Sequence, residues 1–227
     1  MTKDAQTYCD ISIGCLASQE LVKIMKTLLA FAAACGFLLI STSAAAIGDP
    51  AAGQAKSTAC IACHGADGNS MMGEWPKLAG QHAGYLAKQL REFRSGERVN
   101  DIMRGMAAGL SDEDINDLAA YFSSQTLQFG EADPDLVAQG EALYRGGDSV
   151  RGVPACSGCH GPDGRGNLPG DFPWLAGQHA EYTATQMRTF RSTERANDIN
   201  GMMRGSAANI SDEQIEAVAS FIQGLRP

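Results

Sequence analysis

CIACHGADGNS, residues 60–70, and CSGCHGPDGRGN, residues 156–167, are the two stretches that decide the fold of this chain. Each contains a Cys-x-x-Cys-His pentad, and each pentad is followed at once by a Gly-x-Asp-Gly turn. A pentad of this kind is typical of a cofactor or metal site. Because the pentad occurs twice, the chain is expected to contain two sites of the same kind.

Longer repeats surround the pentads. WPKLAGQHAGYLAKQLREFRSGERVND, residues 75–101, matches FPWLAGQHAEYTATQMRTFRSTERAND, residues 172–198, and the match continues after three residues inserted near Asn200. Two long copies indicate tandem domains rather than a solenoid. We therefore predict homologous domains over residues 47–128 and 129–227. The linker lies near 126–135, where Gly130 and Pro134 interrupt any continuous helix.

Each copy has the pattern of a helical domain. The last helix has the strongest signals, because Ser211 with Gln214 forms a capping box and Ser111 with Asp114 an approximate one. Apolar residues then follow at helical spacing. These are Ile115, Leu118, Ala119 and Phe122 in the first copy, and Ile215, Val218, Ala219 and Ile222 in the second. A middle helix is predicted after each Gly-Gln-His triplet, and a first helix after Asp49-Pro50 and Asp133-Pro134. The predicted fold class is all-α.

Residues 1–46 have the layout of an N-terminal extension followed by a signal peptide. From Met25 the chain reads MKTLLAFAAACGFLLISTSAAA, and the small residues that end at Ala46 offer a cleavage site. The apolar run is shorter than the roughly 20 residues of a spanning helix, which favours cleavage over an uncleaved anchor. We expect a true start at Met25, cleavage near Ala46 and export to the periplasm. Four of the seven cysteines then remain, all of them in the pentads.

The composition of the chain argues against one class of partner and indicates that the two cores contain few large side chains. A formal net charge of −8 argues against binding to nucleic acid, because no basic excess is present to neutralise phosphates. Aromatic residues make up only 7% of the chain and glycines number 26, so two cores have few large side chains to share. Small domains of this kind usually complete their interior with a disulfide, a metal or a cofactor.

Three kinds of site could explain a Cys-x-x-Cys-His pentad. A redox dithiol usually lies in a βαβ setting, and a zinc ion needs four ligands, which neither copy clearly supplies. Covalent attachment of haem c uses both cysteines for thioether bonds and the histidine for the iron. We therefore predict two haem c groups. The predicted attachment residues are Cys60, Cys63, Cys156 and Cys159, and the predicted proximal ligands are His64 and His160.

The sixth ligand of each iron decides the function. An open site would allow peroxide or gas chemistry, whereas a second strong ligand makes an electron carrier. Met103 and Met203 match between the copies in an irregular, glycine-containing Met-Arg-Gly segment, and we predict that they are these ligands. His82 and His179 also recur, but their place at a helix start favours a cap or surface role.

With these features the chain resembles the dihaem cytochromes c4, which have two class I cytochrome c domains. The likeness extends over nearly all of the mature part and includes YFSSQ, ADPDL, YRGG, PACSGCH and GQHAEYTATQ. It implies His/Met haems with propionates facing across a pseudo-twofold interface. It also implies that Pro76 and Pro173 offer carbonyl groups to the proximal histidines. Arg104 and Arg204 could pair with propionates or be solvated.

The resemblance implies a periplasmic one-electron carrier, not an enzyme, often loosely associated with the membrane. The expected partners are redox proteins: a membrane cytochrome bc complex or a dehydrogenase as donor, and a terminal oxidase as acceptor. The alternative is a dihaem subunit of an oxidoreductase such as a flavocytochrome c sulfide dehydrogenase. A dihaem peroxidase would need one iron open to peroxide, and the matching methionines argue against it.

Overall fold

Helices form most of residues 48–227, the part of the chain that the computed structural model describes. The predicted signal peptide, the start at Met25 and the cleavage near Ala46 lie outside these residues. In the described part, the β structure consists of two isolated bridges, Asp148 to Val153 and Asn167 to Phe172. The predicted all-α class is confirmed. No helix among residues 48–227 has both the length and the apolar character needed to cross a membrane.

The two copies repeat one order of five helices. The helices of the first copy are α1 Pro50–Lys56, α2 Ile61–His64, α3 Ala83–Ser95, α4 Asp101–Ala107 and α5 Asp112–Ser123. The helices of the second copy are α6 Pro134–Gly146, α7 Ser157–His160, α8 Ala180–Arg191, α9 Met202–Ala207 and α10 Asp212–Gly224. Three short 3₁₀ turns cover Ser57–Ala59, Leu168–Gly170 and Ile199–Gly201.

The predicted helix starts are observed with their caps. Asp49 and Asp133 accept hydrogen bonds from backbone N–H groups in the first turns of α1 and α6, and a proline opens each helix. Ser111 and Ser211 complete capping boxes at α5 and α10. These side chains satisfy N–H groups that have no partner inside the helix, which fixes where each helix begins.

The last helix of each copy is the centre of its core. The predicted apolar stripes of α5 and α10 are buried, and Ile115 and Ile215 are fully excluded from solvent. The first helix, α1 or α6, crosses the last helix, and the middle helix, α3 or α8, packs beside it. Three helices therefore form a frame, and the pentad helices α2 and α7 are attached to this frame by loops.

Gly53 lies where α1 crosses α5 most closely, and Gly140 occupies the same place between α6 and α10. A Cβ atom at Gly53 would overlap the carbonyl oxygen of Asp117, and one at Gly140 would overlap that of Ala217. The helix backbones can touch only because neither residue has a side chain.

Gly53→Ala is expected to destabilise the haem-loaded protein by about 1–3 kcal/mol, because the helices must separate to admit the methyl group. The control is Gly105→Ala in α4, where an added Cβ meets nothing within 4 Å. That variant should gain up to ~1 kcal/mol from helix propensity. Denaturant midpoints measure both effects, and equal midpoints for the two variants would contradict the close crossing.

Candidate functional site

Each pentad forms one tight helical turn. The backbone N–H of His64 donates to the carbonyl of Cys60 over 3.0 Å, and His160 repeats this bond to Cys156 over 2.9 Å. The turn places the two cysteines and the histidine of each pentad on one short helix. Gly65 and Gly161 follow with φ near +79° and +78°, a conformation that suits glycine and directs the chain away from the helix.

The glycine turn joins each pentad to the Leu-Ala-Gly-Gln segment. The carbonyl of Gly68 accepts from the N–H of Leu78 over 2.7 Å, and that of Gly164 accepts from Leu175 over 2.7 Å. A Cβ at Gly68 would lie 2.8 Å from the backbone nitrogen of Ala79, so the two chain segments are in direct contact. This contact brings the preceding proline close to the histidine of the pentad.

Each pentad histidine is oriented by a proline carbonyl. His64 Nδ1 lies 2.9 Å from the oxygen of Pro76, and His160 Nδ1 lies 3.0 Å from that of Pro173. A carbonyl oxygen can only accept, so the proton is on Nδ1 and the Nε2 lone pair is free. Burial lowers the pKa of both histidines, which keeps the rings neutral. A neutral, oriented imidazole is the form that binds a metal.

The first cysteine of each pentad lies in surroundings unlike those of a redox dithiol. Cys60 and Cys156 are partly buried and pack against the core of their own copy. Burial raises the pKa of Cys60, and it raises that of Cys156 to about 11. A catalytic dithiol needs the opposite, an environment that lowers the thiol pKa.

Met103 and Met203 are half-buried in short helices, so the expected irregular segment is wrong. In α4 the Asn100 side chain accepts from the N–H of Met103 over 2.9 Å, which caps the turn. In α9 the three inserted residues form the turn Ile199–Gly201 with Asn200 at φ 53°, and the helix then starts afresh at Met202. Met203 packs against the same core as Cys156.

His82 and His179 occupy the N-cap positions of α3 and α8, as the sequence suggests, but neither imidazole makes a capping hydrogen bond. Each imidazole instead contacts the other copy. His82 Nε2 donates to the carbonyl of Arg165 over 2.7 Å, and His179 Nε2 donates to that of Ser70 over 2.9 Å. The two histidines are therefore part of an interface between the copies, and His179 Nε2 also lies 2.8 Å from Ser70 Oγ.

Two matched arginines lie buried in this interface. Arg98 donates to Gln89, Tyr182 and Gln186, and Arg195 donates to Asn197, Gln186, Tyr85 and Gln89. Among the hydrogen bonds of residues 48–227, neither guanidinium donates to a carboxylate. The buried carboxylate of Glu92 is linked to Arg195 through Asn197 and also pairs with Lys88. This cluster of two arginines, one lysine and one glutamate keeps a net positive charge, which favours the binding of anions.

The positive charge of these arginines lowers the pKa of the neighbouring Tyr182. Burial raises the pKa of Tyr182, yet Arg98 and Arg195 outweigh that effect and hold the net pKa below the ordinary value of tyrosine. Both arginines and both tyrosines recur at matching places in the two copies. Recurrence was the signal that could have identified them from the sequence, because nothing in their local pattern indicates burial.

Arg104 and Arg204 differ from each other. Arg204 Nε donates to Asp198 Oδ1 over 2.7 Å, whereas the Arg104 side chain is exposed. Arg104 and Arg204 occupy matching positions beside the methionines but do not have the same partner. The three-residue insertion before α9 places Asp198 within hydrogen-bond distance of Arg204.

Comparisons with known proteins agree with this geometry. The cytochrome c family model matches residues 50–126 and 137–226. Cytochrome c4 of Thiocapsa roseopersicina is 52% identical over 181 residues, which cover 79% of this chain and 94% of that protein. The structure of reduced recombinant cytochrome c4 from Pseudomonas stutzeri is 51% identical, covers 79% of this chain and 100% of its own, and superposes with a TM-score of 0.77. The thiosulfate dehydrogenase electron acceptor of Stutzerimonas stutzeri is 41% identical over 177 residues, which cover 74% of this chain and 79% of that protein.

The family model is matched once in each copy, so the protein has two cytochrome c domains. Two covalently bound haem c groups follow from this match and from the agreement with solved cytochrome c4. In both copies the pentad histidine is buried and oriented, and the two cysteines lie on the same helical turn, so these residues fit a covalently bound haem. The chain belongs to the cytochrome c family and, within it, to the dihaem cytochromes c4, which are electron carriers.

Proposed function

We propose that this protein is a periplasmic one-electron carrier whose eight ligand and attachment residues act in two matching sets. The attachment residues are Cys60 and Cys63 for one haem, and Cys156 and Cys159 for the other. His64 with Met103 would bind one iron, and His160 with Met203 would bind the other. Domain 1 covers residues 47–128, and domain 2 covers residues 129–227.

The observation that carries the proposal is the bond from each pentad histidine to a proline carbonyl. It occurs in both domains at nearly the same length, 2.9 Å and 3.0 Å. The bond holds the proton on Nδ1 and presents Nε2, on the same helical turn as the two cysteines. Such a bond fixes ring orientation and raises the basicity of a histidine ligand.

The buried arginines supply a site for the haem carboxylates. Arg98 and Arg195 lie between the domains, and they donate to the hydroxyl oxygens of Tyr182 and Tyr85. Propionates at this interface would complete the charge balance of the two guanidinium groups. Arg98 and Arg195 would thus bind carboxylates of both haems at the domain interface, an arrangement that would favour electron exchange inside the molecule.

Haem iron supplies a reversible one-electron change, and the protein controls where and at what potential it occurs. Met103 and Met203, bound to the irons, would raise the reduction potentials and would exclude other ligands. The helical frame in each domain excludes water, which also favours the reduced state. These residues bind and orient the cofactor, and no residue of a substrate-converting site is needed.

The proposed donor is a membrane cytochrome bc complex or a dehydrogenase, and the proposed acceptor is a terminal oxidase. Similarity to a thiosulfate dehydrogenase electron acceptor supports the dehydrogenase among these donors. Cell fractionation and N-terminal sequencing test export, with a mature end near residue 47 as the expected result. Recovery in the cytoplasm with residues 1–46 intact would overturn the periplasmic assignment.

Electron transfer is tested by stopped-flow mixing of the haem-loaded protein with washed membranes that contain the oxidase. We expect both haems to be reoxidised with kinetics that depend on oxidase content and stop with cyanide. Absence of oxidase-dependent reoxidation would contradict the proposed acceptor.

A second candidate is a dihaem subunit that stays bound to its dehydrogenase. The likeness to a protein named as an electron acceptor of a dehydrogenase is the observation in its favour. Purification from the native host separates the two. A fixed stoichiometry with a dehydrogenase subunit at high ionic strength supports the subunit, and recovery as a single chain supports the mobile carrier.

A further inference from the structure

Two glutamines join the domains by reciprocal pairs of hydrogen bonds. The Gln178 amide accepts from the N–H of Lys77 and donates to its carbonyl, both over 2.9 Å. The Gln81 amide accepts from the N–H of Trp174 over 2.9 Å and donates to its carbonyl over 2.8 Å. We call these two arrangements the glutamine clamps. Each clamp reaches from one domain to the backbone of the other.

Each clamp holds the peptide group that orients a proximal histidine. The N–H of Lys77 and the carbonyl of Pro76 belong to one peptide unit, and that carbonyl accepts from His64 Nδ1 over 2.9 Å. A continuous chain of hydrogen bonds thus runs from Gln178 in domain 2 to His64 in domain 1.

The mirror-image chain runs from domain 1 to domain 2. The N–H of Trp174 and the carbonyl of Pro173 form one peptide unit, which joins Gln81 to His160. Gln81 is only 8% exposed, so water competes little for its bonds. The two chains match in every donor and acceptor, although residue 77 is lysine and residue 174 is tryptophan.

A hydrogen bond to the N–H end of a peptide polarises its carbonyl end. The amide is conjugated, and successive hydrogen bonds strengthen one another in a buried site. The carbonyl then attracts the Nδ1 proton of the histidine more strongly, which makes Nε2 a better electron donor. Stronger donation to the iron stabilises its oxidised form.

We propose that Gln178 and Gln81 are positioning residues that act across the interface, each lowering the reduction potential of the haem bound in the opposite domain. The inference rests on the proposed function, in which His64 and His160 are the proximal ligands. Through these hydrogen bonds, contact between the domains would influence the reduction potentials of both haems. Loss of the glutamine in one domain would therefore change the reduction potential of the haem in the other domain.

Gln178→Leu tests the crossed assignment in the haem-loaded protein. Loss of the clamp should shift the domain 1 haem about threefold toward the reduced state, about 28 mV for a one-electron couple at 59 mV per decade. The domain 2 haem should not shift. Gln81→Leu should give the reverse pattern. The Nδ1–H resonances of His64 and His160, labelled with ¹⁵N and followed during a redox titration, report each haem separately.

Two further variants separate polarisation from simple packing. Gln178→Glu keeps an oxygen acceptor for the Lys77 N–H in either protonation state, so the domain 1 potential should return to the original value or fall below it. His82→Ala removes a different bond between the domains, to Arg165, and an edge contact with the Trp174 ring, but it keeps the backbone N–H that donates to Gln81. It should leave both potentials unchanged.

Equal shifts of both haems in Gln178→Leu, or the same shifts in His82→Ala, would show that the glutamines only hold the interface together and would overturn the proposal. No shift at all would overturn it too. If the His64 resonance of the unaltered protein did not respond to the redox state of a haem, the ligand assignment itself would fail. That result is separate from the behaviour of the variants.

Discussion

Met203→Leu is expected to lower the potential of the domain 2 haem on the order of 0.2 V, within the ~0.8 V range that axial ligands span. It should also remove about half of the red charge-transfer band of methionine-ligated ferric haem. Leucine keeps the volume of methionine but has no sulfur lone pair, so the change at the iron is separated from a change in packing. Visible spectroscopy and a spectroelectrochemical titration give both quantities.

Met202→Leu is the matched control for this effect. Met202 is the neighbouring residue in α9, is 39% exposed, and has an isoleucine at its matching place in domain 1. Its replacement should leave the band and both potentials as they were. Replacement of both Met103 and Met203 should abolish the band, and a band that persists in that double variant would disprove the sixth-ligand assignment.

Arg98→Met is expected to have the second large effect, on stability and potential together. If the proposed contact with a haem propionate exists, removal of one guanidinium would leave that anion without its buried partner, at a cost of about 3 kcal/mol in the free energy of unfolding. Loss of a nearby positive charge also favours the oxidised iron, so both potentials should fall. Denaturant unfolding and redox titration at one ionic strength measure the two effects.

Arg104→Met provides the comparison for Arg98→Met. Arg104 lies beside Met103 but its side chain is exposed, and it should change neither stability nor potential appreciably. If Arg104→Met matched Arg98→Met in both readouts, the buried pair would have no special role. Unchanged potentials in Arg98→Met would likewise contradict its contact with a haem carboxylate.

Local signals account for the parts of the fold that the sequence predicted well. Ser111 and Ser211 start their helices through bonds to residues three positions away, and such patterns are readable along the chain. The buried stripe of α10 is set by helical spacing alone. The fold class and the two capping boxes follow from short-range chemistry of this kind.

The interface could not be read in the same way, because its bonds join residues far apart in the chain. Gln89 contacts Arg195, and Gln178 contacts Lys77, across more than a hundred positions each. Recurrence in both copies marked these residues, but it did not say which recurring residues face the other domain. The position of His82 and His179 at a helix start therefore suggests a cap or the surface, whereas their imidazoles contact the other domain.

The sequence predicts an irregular segment around each methionine, whereas the structure has a short helix there. The start of this helix is set differently in the two copies. Asn100 caps α4 directly, whereas the insertion Ile199–Gly201 has two residues at positive φ before α9 begins. A glycine in a short helix looks like a break from sequence alone. Tertiary packing against the middle helix nevertheless supports a helical turn at each methionine.

The most direct measurement of the central claim is a proton NMR spectrum of the fully reduced protein. We predict two sets of methionine methyl resonances shifted strongly upfield by haem ring currents, one lost in Met103→Leu and the other in Met203→Leu. Each loss should leave two haem c groups per chain in a pyridine haemochrome assay. A spectrum with no such methyl resonances, or with resonances that survive in both variants, would contradict the account.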